Sequence, residues 1–136
     1  MEMLFYAHSG LRYLVLLAGF AAAAYYGYAV ATKKGNERTA RILGSAFVGT
    51  LDLQIVVGVV MVVLGLYYPA LIGHLFMMIG AAVVGHVALV LARSAPSPER
   101  AYAIRLMGVV FALVLIAGGI MAIGRSIFGS GVPSMM

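Results

Sequence analysis

The residues of this chain best suited to chemistry are its three histidines, His8, His74 and His86. A neutral imidazole binds transition metals, and an imidazole that gains or loses a proton can pass it between partners. Asp52 lies within an apolar stretch, and Arg12 follows His8 by four residues. Ionisable groups are costly inside apolar segments, so each of these five side chains predicts a functional site or a specific polar contact.

The composition indicates a membrane protein. Of 136 residues, 64% are hydrophobic and 10% are charged, and the mean hydropathy is +1.08. A soluble domain is nearer half apolar and a quarter charged. The chain has no cysteine, which excludes disulfides and thiolate-held iron–sulfur clusters. The net charge is +5, but the basic residues cluster between apolar segments and do not alternate with aromatics, so we expect a lipid bilayer rather than nucleic acid as partner.

Four apolar segments predict four transmembrane helices, at about 3–30, 42–67, 70–91 and 99–123. Each exceeds the roughly 20 residues that cross the hydrocarbon core. Short connections favour an antiparallel up-down four-helix bundle, an all-α membrane protein in which residues 1–136 form one domain. Ser97 and Pro98 have the types preferred at the N-cap and first position of the fourth helix, and Pro69 suits the first turn of the third.

The basic residues predict the orientation of the bundle. Most lie in or beside two loops, namely Lys33, Lys34, Arg38, Arg41, Arg93 and Arg100, and Arg105 is one turn inside the fourth segment. The positive-inside rule puts these loops in the cytoplasm of a bacterium, so both termini face the outer, periplasmic side of the inner membrane. Arg12 and Arg125 then lie toward that outer side.

Depth separates the histidines into two layers. His74 and His86 are 12 residues apart, which on one helix is roughly 18 Å along the axis and about 120° around it. They therefore address different neighbours. The predicted outer layer contains His8, Arg12, His74 and Arg125, and the predicted inner layer contains Asp52 and His86.

The outer layer predicts a haem site. Two histidines at one depth, on helices that run in the same direction, suit the two axial positions of one haem iron. The anionic propionates of the haem would lie toward the outer interface. Arg12, one turn from His8 on the same helix face, would pair with one of them, and Arg125 with the other.

Small residues and local capping leave alternatives open in this layer. Gly19 and Gly85 follow the histidines by 11 residues, about three turns, so each would give clearance for a flat ring below its histidine. Glycine also serves close helix packing. If Ser9 is an N-cap, His8 precedes the helix. Independently, His74 could form a hydrogen bond to a carbonyl of a neighbouring helix instead of binding a metal.

The inner layer predicts a polar pair. The Asp52 carboxylate can accept a hydrogen bond from the His86 imidazole. Such a pair can transfer protons, or its carboxylate can hydrogen-bond the second ring nitrogen of a metal-bound histidine. It can also simply join the second helix to the third.

Four short pieces of the chain carry a family resemblance: HSGLRY at 8–13, LDLQIVVG at 51–58, HLFMM at 74–78 and GH at 85–86. They resemble small bacterial four-span membrane proteins that are labelled cytochrome b-like. The resemblance implies His8 and His74 as haem ligands and Arg12 as their neighbour. That family often has a histidine where this chain has Asp52, so the resemblance implies one haem b, in the outer layer, and none at His86.

The expected function is that of a b-type haem electron carrier, working between a quinone and a periplasmic or complex-bound redox partner. Two alternatives remain: a cofactor-free accessory subunit of a larger membrane complex, and a small proton-coupled transporter that uses Asp52 and His86. The sequence has no nucleophile–base–acid set, phosphate-binding glycine loop or HExxH helix. An electron relay is therefore favoured over a self-contained enzyme.

Overall fold

A computed structural model describes residues 2–123 as four long helices, with no strand in that range. The helices are α1 (Glu2–Thr32), α2 (Glu37–Val63), α3 (Leu71–Arg93) and α4 (Pro98–Ala122). The four predicted helices are thus confirmed. Each is long and apolar enough to cross a membrane, which indicates a multi-pass membrane protein.

The helices pack in a way that is consistent with a four-helix bundle. Helix α1 packs against α2 and α4, and the most extensive contact joins α3 to α4. Helix α2 touches α3 much less. Within the described range α1 and α3 do not approach each other along their backbones, so they occupy opposite corners of the bundle. The core between them is apolar and includes Leu16, Tyr26, Phe47, Leu51, Ala112 and Ile116.

Helix α2 begins five residues before the predicted boundary because its first turn is capped by Asn36. The Asn36 side-chain oxygen accepts hydrogen bonds from the backbone amides of Arg38 and Thr39, at 2.8 and 3.2 Å. This contact satisfies two amide donors that a helix start leaves unpaired. The charged segment 37–41, which the hydropathy pattern assigned to a loop, is therefore helical.

The connection between α2 and α3 also differs from the prediction. Helix α2 ends at Val63, and Gly65 adopts a φ of +110°, a left-handed conformation that suits glycine. Pro69 lies in the turn rather than in the helix, and α3 begins at Leu71, whose amide donates to the Tyr68 carbonyl. The predicted second span was therefore too long at this end.

Two local predictions at helix starts have clear outcomes. Ser97 caps α4 by accepting from the Arg100 amide at 3.2 Å, and Pro98 is the first helical residue, as predicted. Ser9 is not an N-cap, because α1 already begins at Glu2. His8 therefore lies inside the helix, which keeps Arg12 one turn beyond it.

Polar contacts tie the helices together at one end of the bundle. The Tyr26 hydroxyl of α1 donates to the Ala40 carbonyl of α2 at 2.8 Å. An Arg105 Nη of α4 donates to the Glu37 carboxylate of α2 at 2.7 Å. The two contacts join the end of α1 and the start of α4 to the start of α2.

Candidate functional site

His8 and His74 approach each other across the interior of the bundle. Their ring centroids are 6.4 Å apart and their planes are inclined by 75°. They come from α1 and α3, the two helices at opposite corners, so the rings bridge the space between those corners. The structure therefore brings together the two histidines that the sequence placed at one depth.

A backbone carbonyl fixes the protonation of His74. Its Nδ1 is 2.8 Å from the Gly119 carbonyl oxygen of α4, and the side chain is buried, with 8% of the residue exposed. A carbonyl oxygen can only accept, so Nδ1 carries the hydrogen. In the neutral ring the lone pair then lies on Nε2, which is a common metal-binding atom of histidine.

Helix α2 positions His8. The Gln54 side-chain amide donates to the His8 backbone carbonyl at 2.6 Å. One turn further along α2, Gly58 faces the imidazole, and a Cβ added there would lie 3.1 Å from His8 Cε1. Gln54 thus holds the backbone of α1, and the missing side chain at Gly58 makes room for the His8 ring.

Two cavities adjoin the histidine pair. Both are small, with volumes of about 40 and 70 Å³. Both are lined by His8, Gln54, His74 and Met78. The smaller cavity continues toward Arg12, and the larger continues past Gly58 to apolar residues near the end of α2. The two imidazoles therefore stand at the junction of two largely apolar spaces.

Arg12 gives the smaller cavity a buried positive charge. Only 5% of the residue is exposed, and an Nη donates to the Tyr13 hydroxyl at 3.0 Å. The guanidinium also lies 4.8 Å from the centroid of the Tyr13 ring. An anionic group of a ligand in this cavity would meet a charged donor. Arg125, the predicted second cation, lies outside the described residues 2–123.

Gly19 and Gly85 share helix faces with their histidines, but they give clearance to neighbouring helices rather than to a ring. A Cβ at Gly19 would collide with Phe47 of α2 and Leu113 of α4, and one at Gly85 would press on Val48 of α2. Both glycines allow helices to pack closely. The spacing of 11 residues correctly predicts a shared helix face, but the neighbour on that face is another helix rather than a ring. One face of a long helix contacts different partners at different heights.

Asp52 and His86 form a pair, as predicted, but at the surface of the bundle. His86 Nε2 lies 2.8 Å from an Asp52 carboxylate oxygen. The two side chains are 53% and 44% exposed, respectively. They line an open groove between α2 and α3, together with Val56, Val83 and Val87. The pair is therefore separate from the His8–His74 site and does not face the interior.

Gln54 and Gly58 are the site residues that the sequence reading missed. They are four residues apart and so share one face of α2, whereas Asp52 is two residues from Gln54, about 200° around the helix. This spacing shows that the two polar residues cannot serve one site. Gln54 belongs to the His8 side, and Asp52 belongs to the groove.

The protein donors at this site suit a metal that already has other ligands. Across residues 2–123, no group of three or more His, Cys, Asp or Glu side chains is arranged to hold a metal ion. Two imidazoles are, however, the full protein contribution to an iron whose other four positions are filled by a porphyrin. By donor type alone the two histidines would suit a haem better than a bare ion, and the cavities beside them would have to widen to admit a porphyrin.

Comparison with known proteins adds no family assignment. No protein-family model, curated protein or solved structure matches the chain. Its function is therefore argued from the geometry of the residues above.

Proposed function

We propose that this protein is a membrane electron carrier that holds one haem b between His8 of α1 and His74 of α3. The observation that carries the proposal is the separation of the two ring centroids, 6.4 Å. A metal–imidazole bond is about 2 Å long, so two imidazoles on opposite sides of one metal have ring centres roughly 6 Å apart. Both small cavities border the two rings, and they would have to widen as the haem enters.

The residues around the pair suit this role. The Gly119 carbonyl orients the His74 ring and makes it a better donor through Nε2, as second-shell acceptors do for metal-binding histidines. Arg12 is placed to pair with a propionate. Leu51, Ile116 and Ile120 give the smaller cavity a mostly apolar lining. A bound haem supplies reversible one-electron chemistry, at a potential set by its ligands and by this low-dielectric surrounding.

The orientation of the helices completes the proposal. Early α1 contacts late α2 through His8 and Gln54, and early α3 contacts late α4 through His74 and Gly119, which supports an antiparallel up-down bundle. The charged loops favour a cytoplasmic location for the opposite end. The haem then lies in the periplasmic half of a bacterial inner membrane. A quinone in the bilayer and a periplasmic or complex-bound protein are the redox partners that this depth suits.

The exposed Asp52–His86 pair bears on the proton-coupled alternative. A side chain in a transport path would be accessible through the interior of the bundle, first from one side of the membrane and then from the other. This pair instead lies in a groove on the side of the bundle, where it is half-exposed. The contact joins α2 to α3 where these helices otherwise separate. A structural role for the pair is therefore favoured over proton-coupled transport.

An absorption spectrum of the purified protein tests the haem proposal. We expect a Soret band that shifts on reduction with dithionite, at a stoichiometry of one haem per chain. His8→Ala and His74→Ala should each abolish the six-coordinate low-spin spectrum. His86→Ala is the matched control, since that histidine lies on α3 but in the groove, and it should retain the spectrum. Colourless wild-type protein would overturn the proposal in favour of the accessory subunit.

A pair of glycine variants tests the geometry without touching a ligand. Gly58→Leu places a side chain against the His8 ring, whereas Gly49→Leu, in the same helix, enters open space. We expect the first to lower haem content severalfold and the second to leave it unchanged, at equal helix content by circular dichroism. Equal haem content in the two variants would contradict the proposed position of the ring.

A further inference from the structure

The end of the bundle opposite the histidine pair contains a recess rich in arginine. It is lined by Arg41 and Ser45 of α2, Leu89 and Arg93 of α3, and Arg105 of α4, and its volume is about 390 Å³. We propose that this basic recess binds the phosphate of an anionic phospholipid, with an acyl chain of that lipid in the groove between α2 and α3. The site does not involve His8 or His74, so it stands or falls independently of the haem.

The charges in the recess are not balanced within the protein. Three guanidinium groups line it, and one carboxylate, that of Glu37, is bonded to two of them. Arg105 approaches Glu37 at 2.7 Å and Arg41 approaches it at 3.1 Å. Three positive charges against one negative charge leave an excess of two in a space bounded by apolar helices. The phosphodiester of an anionic phospholipid carries one negative charge and would offset half of this excess.

Arg105 contributes a buried guanidinium whose contact with Glu37 leaves one donor atom, Nε, unbonded. Its side chain is 2% exposed, and its buried Nε has no hydrogen-bond partner among residues 2–123. A buried donor without an acceptor is costly, and a charged one more so. Phosphate oxygens at the recess would lower that cost through their charge. The Ser45 hydroxyl offers a further donor for them.

The groove lies further along α2 and α3, the two helices that supply most of the lining of the recess. Helices α2 and α3 separate along their seam, and the space between them is lined by Val56, Val83 and Val87 beyond the Asp52–His86 pair. From position 45 to position 56 on α2 the rise is about 17 Å, and half of a hydrocarbon core is about 15 Å. A chain whose headgroup lies in the recess would therefore lie in the groove as far as the bilayer midplane.

The position of an apolar groove on the same two helices as the recess favours a lipid over a free anion. A soluble phosphate would use the arginines but not the apolar groove. Basic pockets between transmembrane helices, on the side of the membrane that carries anionic lipids, are typical headgroup sites. The recess lies at the end of the bundle that the basic loops assign to that side.

Native mass spectrometry of the full chain, released from mixed micelles of phosphatidylglycerol and phosphatidylcholine, tests the site. We expect the wild type to retain phosphatidylglycerol. Arg41→Gln and Arg93→Gln should each weaken that binding by about fivefold, the effect of one basic residue near anionic lipid. Lys33→Gln and Arg100→Gln are matched controls, because both residues are exposed at the same end but do not line the recess. Equal losses in all four variants would reduce the effect to diffuse surface charge and overturn the proposal.

Two further arms separate the lipid from a free anion. Val83→Phe fills the groove and leaves the arginines in place, so it should weaken phosphatidylglycerol binding and leave any binding of inorganic phosphate unaltered. Displacement of the lipid by millimolar inorganic phosphate, with no effect of Val83→Phe, would identify a soluble-anion site and overturn the lipid assignment. Circular dichroism and gel filtration establish that each variant is folded.

Discussion

At the scale of single residues, the interior of this protein is set by a few polar groups that meet specific partners. The Gly119 carbonyl fixes the tautomer of His74, and the Gln54 amide holds the backbone of His8. At the opposite end, Glu37 pairs with the buried Arg105. In an apolar medium an unpaired polar group is costly. Each of these contacts therefore favours one arrangement of the helices over alternatives in which the polar group would be unpaired.

The Glu37–Arg105 pair is the residue-scale contact whose loss should be most costly. Glu37→Gln removes the negative charge and leaves the buried guanidinium without a counterion, so we expect a loss of about 1–3 kcal/mol in the free energy of unfolding. The half-exposed position of Glu37 keeps the loss in this range. Unfolding in mixed SDS micelles, followed by circular dichroism, measures it.

Glu99→Gln is the control for the Glu37 variant. Both glutamates lie in the first turn of their helices, so both favour the helix dipole equally. The Glu99 variant should therefore lose only the dipole contribution, a few tenths of a kcal/mol. Equal destabilisation by the two variants would mean that the ion pair contributes nothing beyond the dipole.

At the scale of elements, close packing of α3 on α4 is the dominant contact of the bundle. It is made possible by small residues: a Cβ at Gly108 would overlap the Cβ of Ala88, and one at Gly119 would overlap the Met78 side chain. Small residues at such contacts let helix backbones approach and gain dispersion energy. By contrast, α2 leaves α3 exposed along the groove, which is what creates the proposed lipid site.

Gly108→Val should separate α3 from α4. The added methyl groups have no space beside Ala88, and overpacking of this kind costs about 1–3 kcal/mol. Gly27→Val in α1 introduces the same β-branched side chain where no atom lies within 4 Å of the new Cβ, so its effect should be limited to helix propensity. The SDS unfolding midpoints of the two variants are compared. Equal midpoints would show that close packing at Gly108 does not stabilise the contact between α3 and α4.

At the scale of the whole molecule, the two proposed sites lie at opposite ends of the helices. The histidine pair and its cavities lie where α1 and α3 begin, and the basic recess lies where α2 and α4 begin. The proposed membrane orientation puts the first in the periplasmic half and the second at the cytoplasmic surface. A carrier arranged in this way would exchange electrons near one face while lipid anchors it at the other.

Cysteine labelling tests this orientation, and the chain is convenient for it because it has no native cysteine. Tyr67→Cys, in the turn between α2 and α3, should react with a membrane-impermeant maleimide in cells with a permeabilised outer membrane. Lys34→Cys and Ser94→Cys, in the other two connections, should react only after lysis. The opposite pattern would invert the bundle and move the histidine pair to the cytoplasmic half.

Local features of this fold could be predicted from the sequence. The four helices follow from four long apolar runs, because a backbone in lipid must satisfy its own hydrogen bonds and a helix does so within one segment. Ser97 and Pro98 mark the start of α4 through contacts that span three residues. The Asn36 cap of α2 was not predicted, because the charged residues after it were assigned to a loop. Charged residues are in fact common in the first turn of a helix.

By itself, the sequence determined that residues 2–123 form four long helices, roughly where each begins and ends, and that His8 pairs in level with His74 and Asp52 with His86. The tertiary structure decided which face of each helix is inside. It put His8 against Gly58, turned Asp52 and His86 outward, and placed Gly19 against Phe47 and Leu113. The physical reason is that lipid and protein core are both apolar, so hydrophobicity does not distinguish them. Helix rotation is set instead by close packing and by pairing of the few polar groups.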